Sequence, residues 1–235
     1  MSPPSVLILD LSVDVSLYRP VEHWRALLGD APSRALRPAD FASAEALLGE
    51  AGGFSHLIVT GSEASVVEPQ AWFGPAEALI RQAVEARRAV LGSCFGHQLI
   101  ARALLGPRHV RRAAMPELGW LPVTVCSGEP PFDGAEPELW MFSCHFDEVC
   151  ELPPSWRVLG RTESCQVHAY AIEGLPVWGV QAHPEIAPQE GEALLRGFAD
   201  RRPELAPFVD RILSGPRRDD GFGARLVARF LEVPA

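Results

Sequence analysis

The sequence has no dense run of lysine or arginine, and 21 basic against 30 acidic side chains leave a formal charge of −9. Such a surface is poorly suited to tracking a phosphate backbone, so nucleic acid is not expected as a partner. No apolar run approaches the ~20 residues that a membrane-spanning helix needs, and a membrane is not expected either. The opening Met-Ser-Pro-Pro-Ser passes straight into VLILDL, without a basic leader or cleavage signal. The five cysteines, at 94, 126, 144, 150 and 165, form no C-x-x-C pair and are too sparse for a disulfide framework. Reduced thiols in the cytoplasm are the expectation. There is no internal repeat, no G-x-x-x-x-G-K-[ST] loop to cradle a nucleotide, and no G-x-S-x-G elbow of an esterase. Neither a cofactor nor a metal is expected.

What is present is enough apolar sequence, 47% of residues, to bury a full core, and one domain over residues 1–235 is the default. The first half alternates short apolar runs with amphipathic stretches. VLILDL, HLIVTG and AVLGSC read as strands. VEHWRALLG, SAEALLGE, AWFGPAEALIRQAVEARR and FGHQLIARALLG read as helices, the last stopping at Gly106 before Pro107. Strands separated by helices predict a parallel sheet covered on both faces, an α/β fold. From Met115 the pattern shifts to short β segments: ELGWLPVTV, ELWMFS, WRVLGR, VHAYAI and PVWGVQA. The stretch from Ser127 to Pro137 reads as a surface loop, and helices are expected over 188–201 and in the closing GFGARLVARFLEV.

Two motifs carry chemistry. In AVLGSCFGHQ an apolar strand runs into Gly92-Ser93-Cys94-Phe95-Gly96 and out into a helix. Small residues around a cysteine permit a tight strand-to-helix turn that exposes its sulfur at the carboxyl end of the sheet and the positive end of a helix dipole, a field that favours thiolate. Alone, that turn competes with the commoner fate of a cysteine as a small buried hydrophobe. Far along the chain, GVQAHPE delivers His183 and Glu185 two residues apart. In an extended segment the two face one side, so the carboxylate reaches one imidazole nitrogen and leaves the other for a nucleophile. A capping histidine and an exposed glutamate would explain the second motif by itself, and the pair together poorly.

The pair GSCFGHQ and AHPE resembles the class I glutamine amidotransferase family, in particular the glutaminase domain of GMP synthases. Further echoes are TGSEASV at 60–66, PELGW at 116–120 and SCHFDEVCELPPSWRVLGRTESCQVHAYAIEG at 143–174. The resemblance implies a flavodoxin-like open, mostly parallel sheet with helices on both faces and a small antiparallel sheet attached. It implies that Cys94 attacks the γ-amide of L-glutamine or another γ-glutamyl amide to give a thioester, with His183 as proton carrier and Glu185 orienting it. Backbone N–H groups of Gly61 and Phe95 would hold the oxyanion. Gln98, Ser143, Cys144 and His145 are the implied substrate-binding positions. His97 and His168 are expected to be structural or superficial, and a zinc site from Cys144, His145 and Cys150 would have a spacing that fits no familiar pattern.

Two enzymatic readings share these motifs. In one, the chain is a glutaminase that supplies ammonia to a separate synthetase, because the sequence ends soon after the glutaminase module. In the other it is a free-standing γ-glutamyl peptidase acting on small conjugates. A third reading, a non-catalytic binding protein on the same fold, is opposed by the intact Cys94, His183 and Glu185.

Overall fold

A computed structural model describes residues 3–234. Nine strands form one sheet, in the order β2-β1-β3-β4-β9-β8-β7-β5-β6. The first five in that order, β2 (Ser33–Leu36), β1 (Val6–Leu9), β3 (His56–Val59), β4 (Ala89–Ser93) and β9 (Val177–Val180), are mutually parallel. This is the doubly wound order whose ligands sit at the carboxyl ends of the strands. The antiparallel strands β8 (Ala169–Ile172), β7 (Trp156–Arg161), β5 (Val110–Val125) and β6 (Glu138–Val149) extend the same sheet beyond β9.

Alternation explains why short apolar runs become the inner strands. On β1, Leu7 and Leu9 enter one core cluster while Val6 and Ile8 enter the cluster on the opposite face, and all four are fully buried. Burial on both faces contributes roughly 1.5–3 kcal/mol for each such side chain. One face is covered by the helices α2 (Ala44–Ala51), α3 (Phe73–Glu85) and α4 (Phe95–Leu105). The other is covered by α1 (Pro20–Leu28) and α7 (Phe222–Leu231), through Trp24, Leu28, Phe222, Leu226 and Phe230. A third cluster seats α5 (Pro188–Arg201) and α6 (Ala206–Leu213) on Leu118, Trp120, Phe142 and Cys144 of the antiparallel strands.

Three differences from the sequence reading stand out. Strand β2, SRAL, is only half-buried at the sheet edge and carries no apolar run to reveal it. Helix α6 lies in PELAPFVDRIL, where two prolines mask an amphipathic turn pair that buries Val209 and Leu213. The β pattern starts at Val110, five residues ahead of Met115, and is broken by a register shift between Arg112 and Glu117 that leaves Met115 exposed. A bulge of this kind re-aims side chains, here turning Glu117 inward opposite His145.

Candidate active site

Strand β4 hands over to α4 at Cys94, which takes φ 46° and ψ −107°, a left-handed value rare for any residue with a side chain. Such a strained turn holds a side chain up and away from the sheet. It needs Gly96 next to it, because a Cβ there would lie 2.0 Å from the Val59 carbonyl oxygen. The Cys94 thiol, nearly buried, donates to the Cys144 carbonyl at 3.6 Å and opens into a cavity of about 370 Å³. Phe95 follows at the first position of α4, where a helix leaves its N–H groups without intrahelical partners.

His183 and Glu185 arrive from the loop between β9 and α5. The expected extended segment is in fact a turn: the Ile186 N–H donates to the His183 carbonyl at 3.2 Å, with Pro184 at the second turn position that its fixed φ suits. The turn still brings the pair together, Glu185 Oε1 lying 2.8 Å from His183 Nδ1, and leaves Nε2 for the thiol. A bond from the His183 N–H to the Phe142 carbonyl, 2.8 Å, pins this loop to β6. Gly61, at the end of β3, lies against the imidazole: a Cβ there would be 2.7 Å from His183 Cε1. Burial by itself would depress the His183 pKa, but the neighbouring Cys94 sulfur and the Glu185 carboxylate outweigh it and lift it to about 10. Burial opposes ionisation of Glu185, yet His183 and Tyr18 hold its pKa below the ordinary value.

Tyr18 was not legible in the sequence as a site residue. Its hydroxyl donates to Glu185 Oε1, the same oxygen that meets His183, and lies 3.5 Å from His183 Nδ1. The residue comes from the loop before α1, and nothing in the surrounding sequence marks it.

The implied substrate positions divide. Gln98, Cys144 and His145 line the cavity, with Ser62, Glu63, Phe146, Asp147, Phe198 and Arg202 among their neighbours. Gln98 Nε2 donates to the Asp147 carbonyl at 2.7 Å and to Gln181 Oε1 at 3.1 Å, so its oxygen is the atom free for a ligand. Ser143 does not line the cavity; it is fully buried, with its hydroxyl 3.2 Å from His168 Nε2. It is turned instead toward His168 in the interior, on the face of β6 that also carries His145.

Strand alternation dismantles the zinc set of Cys144, His145 and Cys150, since Cys144 and His145 point to opposite faces and the Cys150 thiol donates to the Arg108 carbonyl. Among the described residues, the group whose ligand atoms gather within 4.8 Å is Glu117, His145 and Cys165. Its geometry is that of a closed hydrogen-bond network. Glu117 Oε2 lies 2.8 Å from His145 Nε2, and Oε1 accepts from Thr162 and, at 2.5 Å, from Ser164. Burial works against ionisation, but His145, the nearby His168 and the two hydroxyls pull the Glu117 pKa to about 2. His97 and His168 are both fully buried, and burial lowers each to about 3. They are structural, as one arm of the sequence reading has it.

A family model described as Glutamine amidotransferase class-I matches residues 35–201. The glutamine-hydrolysing GMP synthase subunit from Pyrococcus abyssi is 39% identical over 133 residues, 56% of this chain and 70% of that protein. Its counterpart from Thermococcus kodakarensis is 38% identical over the same coverage. Among solved structures, a glutamine amidotransferase from Thermotoga maritima superposes with a TM-score of 0.79 at 17% identity, over 99% of this chain and 100% of that one. Another from Methylobacillus flagellatus reaches 0.71 at 22% identity, over 98% and 95%. At these identities the two structures speak for the fold alone.

Proposed function

The chain belongs to the class I glutamine amidotransferase family, and on that footing we propose that it hydrolyses the γ-amide of L-glutamine through a thioester on Cys94 and hands the ammonia to a separate synthetase chain. The observation that carries this reading is the strained turn that aims Cys94 into the cavity beside a histidine already held by Glu185.

The chemistry follows from those positions. The raised pKa of His183 suits it to take up the Cys94 thiol proton as the sulfur attacks. The Cys94 sulfur adds to the γ-carbonyl carbon, and the oxyanion that develops is met by the N–H groups of Gly61 and Phe95. His183 passes its proton to the leaving nitrogen, which departs as ammonia. A water then gives its proton back to His183 as it attacks the thioester, releasing glutamate. Glu185 fixes the imidazole tautomer throughout and does not itself take the proton. Gln98 Oε1 accepts from the substrate's amino group, and Cys144 and His145 form the adjoining wall. No step calls for a metal or cofactor.

The synthetase partner is inferred from the archaeal relatives, whose names describe one component of a glutamine-hydrolysing synthase. Residues 1–235 are read as one such glutaminase domain, and the cytoplasm as its location. Among the described residues, no helix is long and apolar enough to cross a membrane. The test is ammonia and glutamate release from L-glutamine, beside cleavage of a panel of γ-glutamyl amides, with Cys94→Ala as control. Slow glutamine turnover that a synthetase partner accelerates is the expected result. Rapid Cys94-dependent cleavage of conjugates by the isolated chain would replace it with the γ-glutamyl peptidase reading.

A further inference from the structure

A second, much smaller cavity of about 20 Å³ adjoins the one over Cys94. Its walls are Tyr18, Ser62, Glu63, Cys144 and His183, and α5 closes over them. That is room for one water molecule and little else. Ser62, Glu63 and Cys144 line the large cavity as well, so the two spaces share a wall. The small cell therefore touches both the catalytic imidazole and the space in which an acyl group on Cys94 would lie.

Most polar groups around this cell are already committed. The Tyr18 hydroxyl gives its proton to Glu185, and the Ser62 hydroxyl accepts from the Ala64 N–H at 3.1 Å. Burial pushes the Cys144 pKa up, which keeps that thiol neutral and a weak hydrogen-bonding group. His183 turns Nδ1 to Glu185 and keeps Nε2 for the reaction. Glu63 is different. Its Oε2 accepts the Val13 N–H at 2.8 Å, while Oε1 is buried with no hydrogen-bond partner. Burial raises the Glu63 pKa, as expected of a carboxylate kept short of donors. Burial is also the main reason that the pKa values of Tyr18 and Cys144 are raised, and the Glu63 charge adds to both, which places the carboxylate beside the cell. A buried acceptor calls for a donor, and in a space of this size the donor that fits is a water.

We propose that this cell seats the water that cleaves the γ-glutamyl thioester, and that Glu63 Oε1 is the acceptor that orients it. The inference rests on the hydrolase reading above and adds a catalytic residue to its second half. The seated water donates one hydrogen to Glu63 and the other to His183 Nε2, which turns an oxygen lone pair toward the thioester carbon. As the C–O bond forms, His183 takes its hydrogen as a proton. Collapse of the tetrahedral adduct breaks the C–S bond; Cys94 leaves as thiolate and recovers that proton from His183, and the other hydrogen departs on the product's carboxyl group. Glu63 takes no proton and contributes orientation alone. Acylation consumes no water, so Glu63 bears on the second half-reaction and not on the first.

The test separates the two halves by rapid-quench measurement of ammonia, with mass spectrometry of the quenched protein to follow the thioester. Active sites are counted by alkylation of Cys94, so that only folded protein enters the comparison. Glu63→Gln keeps the volume and can keep an oxygen on the Val13 N–H, but it turns an amide NH2 group into the cell. It is expected to release a burst of about one ammonia per active site. Steady turnover should then run on the order of a hundredfold below the parent, with Cys94 held as thioester. Hydroxylamine, a stronger nucleophile that needs no acceptor to aim it, should restore turnover and give the γ-glutamyl hydroxamate. Glu63→Ala should show the same burst and the same rescue. Parental turnover in Glu63→Gln would overturn the proposal. So would an equal loss of burst rate and turnover that hydroxylamine does not relieve, which is the pattern of a distorted site. A parent protein that releases no Cys94-dependent ammonia would sink the hydrolase reading and the proposal with it, whereas an active parent whose variants accumulate no thioester would sink the assignment of Glu63 alone.

Discussion

Two Cys–His–Glu constellations lie on this one sheet, and they are built to nearly the same dimensions. In the parallel half, Glu185 and His183 meet at 2.8 Å beside Cys94; in the antiparallel half, Glu117 and His145 meet at 2.8 Å beside Cys165. Both pairs are buried. What separates them is everything around the pair. Cys94 sits on a strained turn at the mouth of a cavity, and Glu185 keeps one oxygen, Oε2, without a partner. Cys165 is sealed from that cavity, burial pushes its thiol pKa up, and Glu117 has both oxygens occupied. The distance between a histidine and a carboxylate therefore says nothing about chemistry until access and unfinished hydrogen bonding are added. One constellation is left open for a substrate, and the other is closed and holds strands together.

The widest gap between the two should appear in turnover. Cys94→Ala and His183→Ala are each expected to reduce kcat by roughly ten-thousand-fold or more, as removal of a nucleophile or its base does elsewhere. Cys165→Ala should leave glutamine hydrolysis within about threefold of the parent, with a stability loss of about 1 kcal/mol from the small void it opens. Ammonia release measured side by side decides the matter. A Cys165 variant as dead as Cys94→Ala would show that the closed network is not merely structural.

The carboxylates should then split by type of damage. Glu185→Gln is expected to cut kcat about a hundredfold or more, since the imidazole loses its orienting charge. Glu117→Gln should act on stability, costing about 1–3 kcal/mol by leaving His145, Thr162 and Ser164 with a poorer acceptor. Acid titration sharpens this. A carboxylate held at about 2 against an ordinary 4.5 stabilises the fold fully above 4.5 and loses that contribution as pH falls toward 2. Urea unfolding of the parent should therefore weaken steeply across that window, and Glu117→Gln should flatten the dependence. An unchanged slope would mean that Glu117 is not the group being titrated.

How much of this was legible beforehand follows the same divide. The parallel half announces itself, because VLILDL, HLIVTG and AVLGSC each pack a whole strand's burial into a short apolar run, and the nucleophile turn and the His-Pro-Glu turn are local in sequence. The antiparallel half hides its organisation in long-range pairing. Glu117 meets Thr162 and Ser164 across 45 and 47 residues and faces His145 only because a bulge shifts the register of β5. Period-two alternation puts Ser143 and Cys144 on opposite faces, but which of them is covered by α5 and α6 depends on where those helices settle, and α6 was itself masked by prolines. Glu63 was in view within TGSEASV, yet its unpartnered oxygen is a property of packing that no spacing reveals.

The smallest expected effect tests the one contact that makes the open constellation more than a copy of the closed one. Tyr18 donates to the Glu185 oxygen that also meets His183, whereas in the closed network the two hydroxyls bind the carboxylate oxygen turned away from His145. A phenol on the shared oxygen draws off negative charge and moderates the pull on the imidazolium. Tyr18→Phe should therefore strengthen the Glu185–His183 pair, and raise the folded pKa of His183 above the present value of about 10. A base whose folded pKa is raised keeps its proton, and the activity that needs it as an acid, until pH passes that value, so the alkaline limb of kcat should move up by a few tenths of a pH unit. The accompanying fall in kcat at neutral pH should be only about three- to tenfold, since the imidazole remains oriented but holds its proton too tightly for the leaving nitrogen. A limb that stays in place while kcat falls would assign Tyr18 to packing alone.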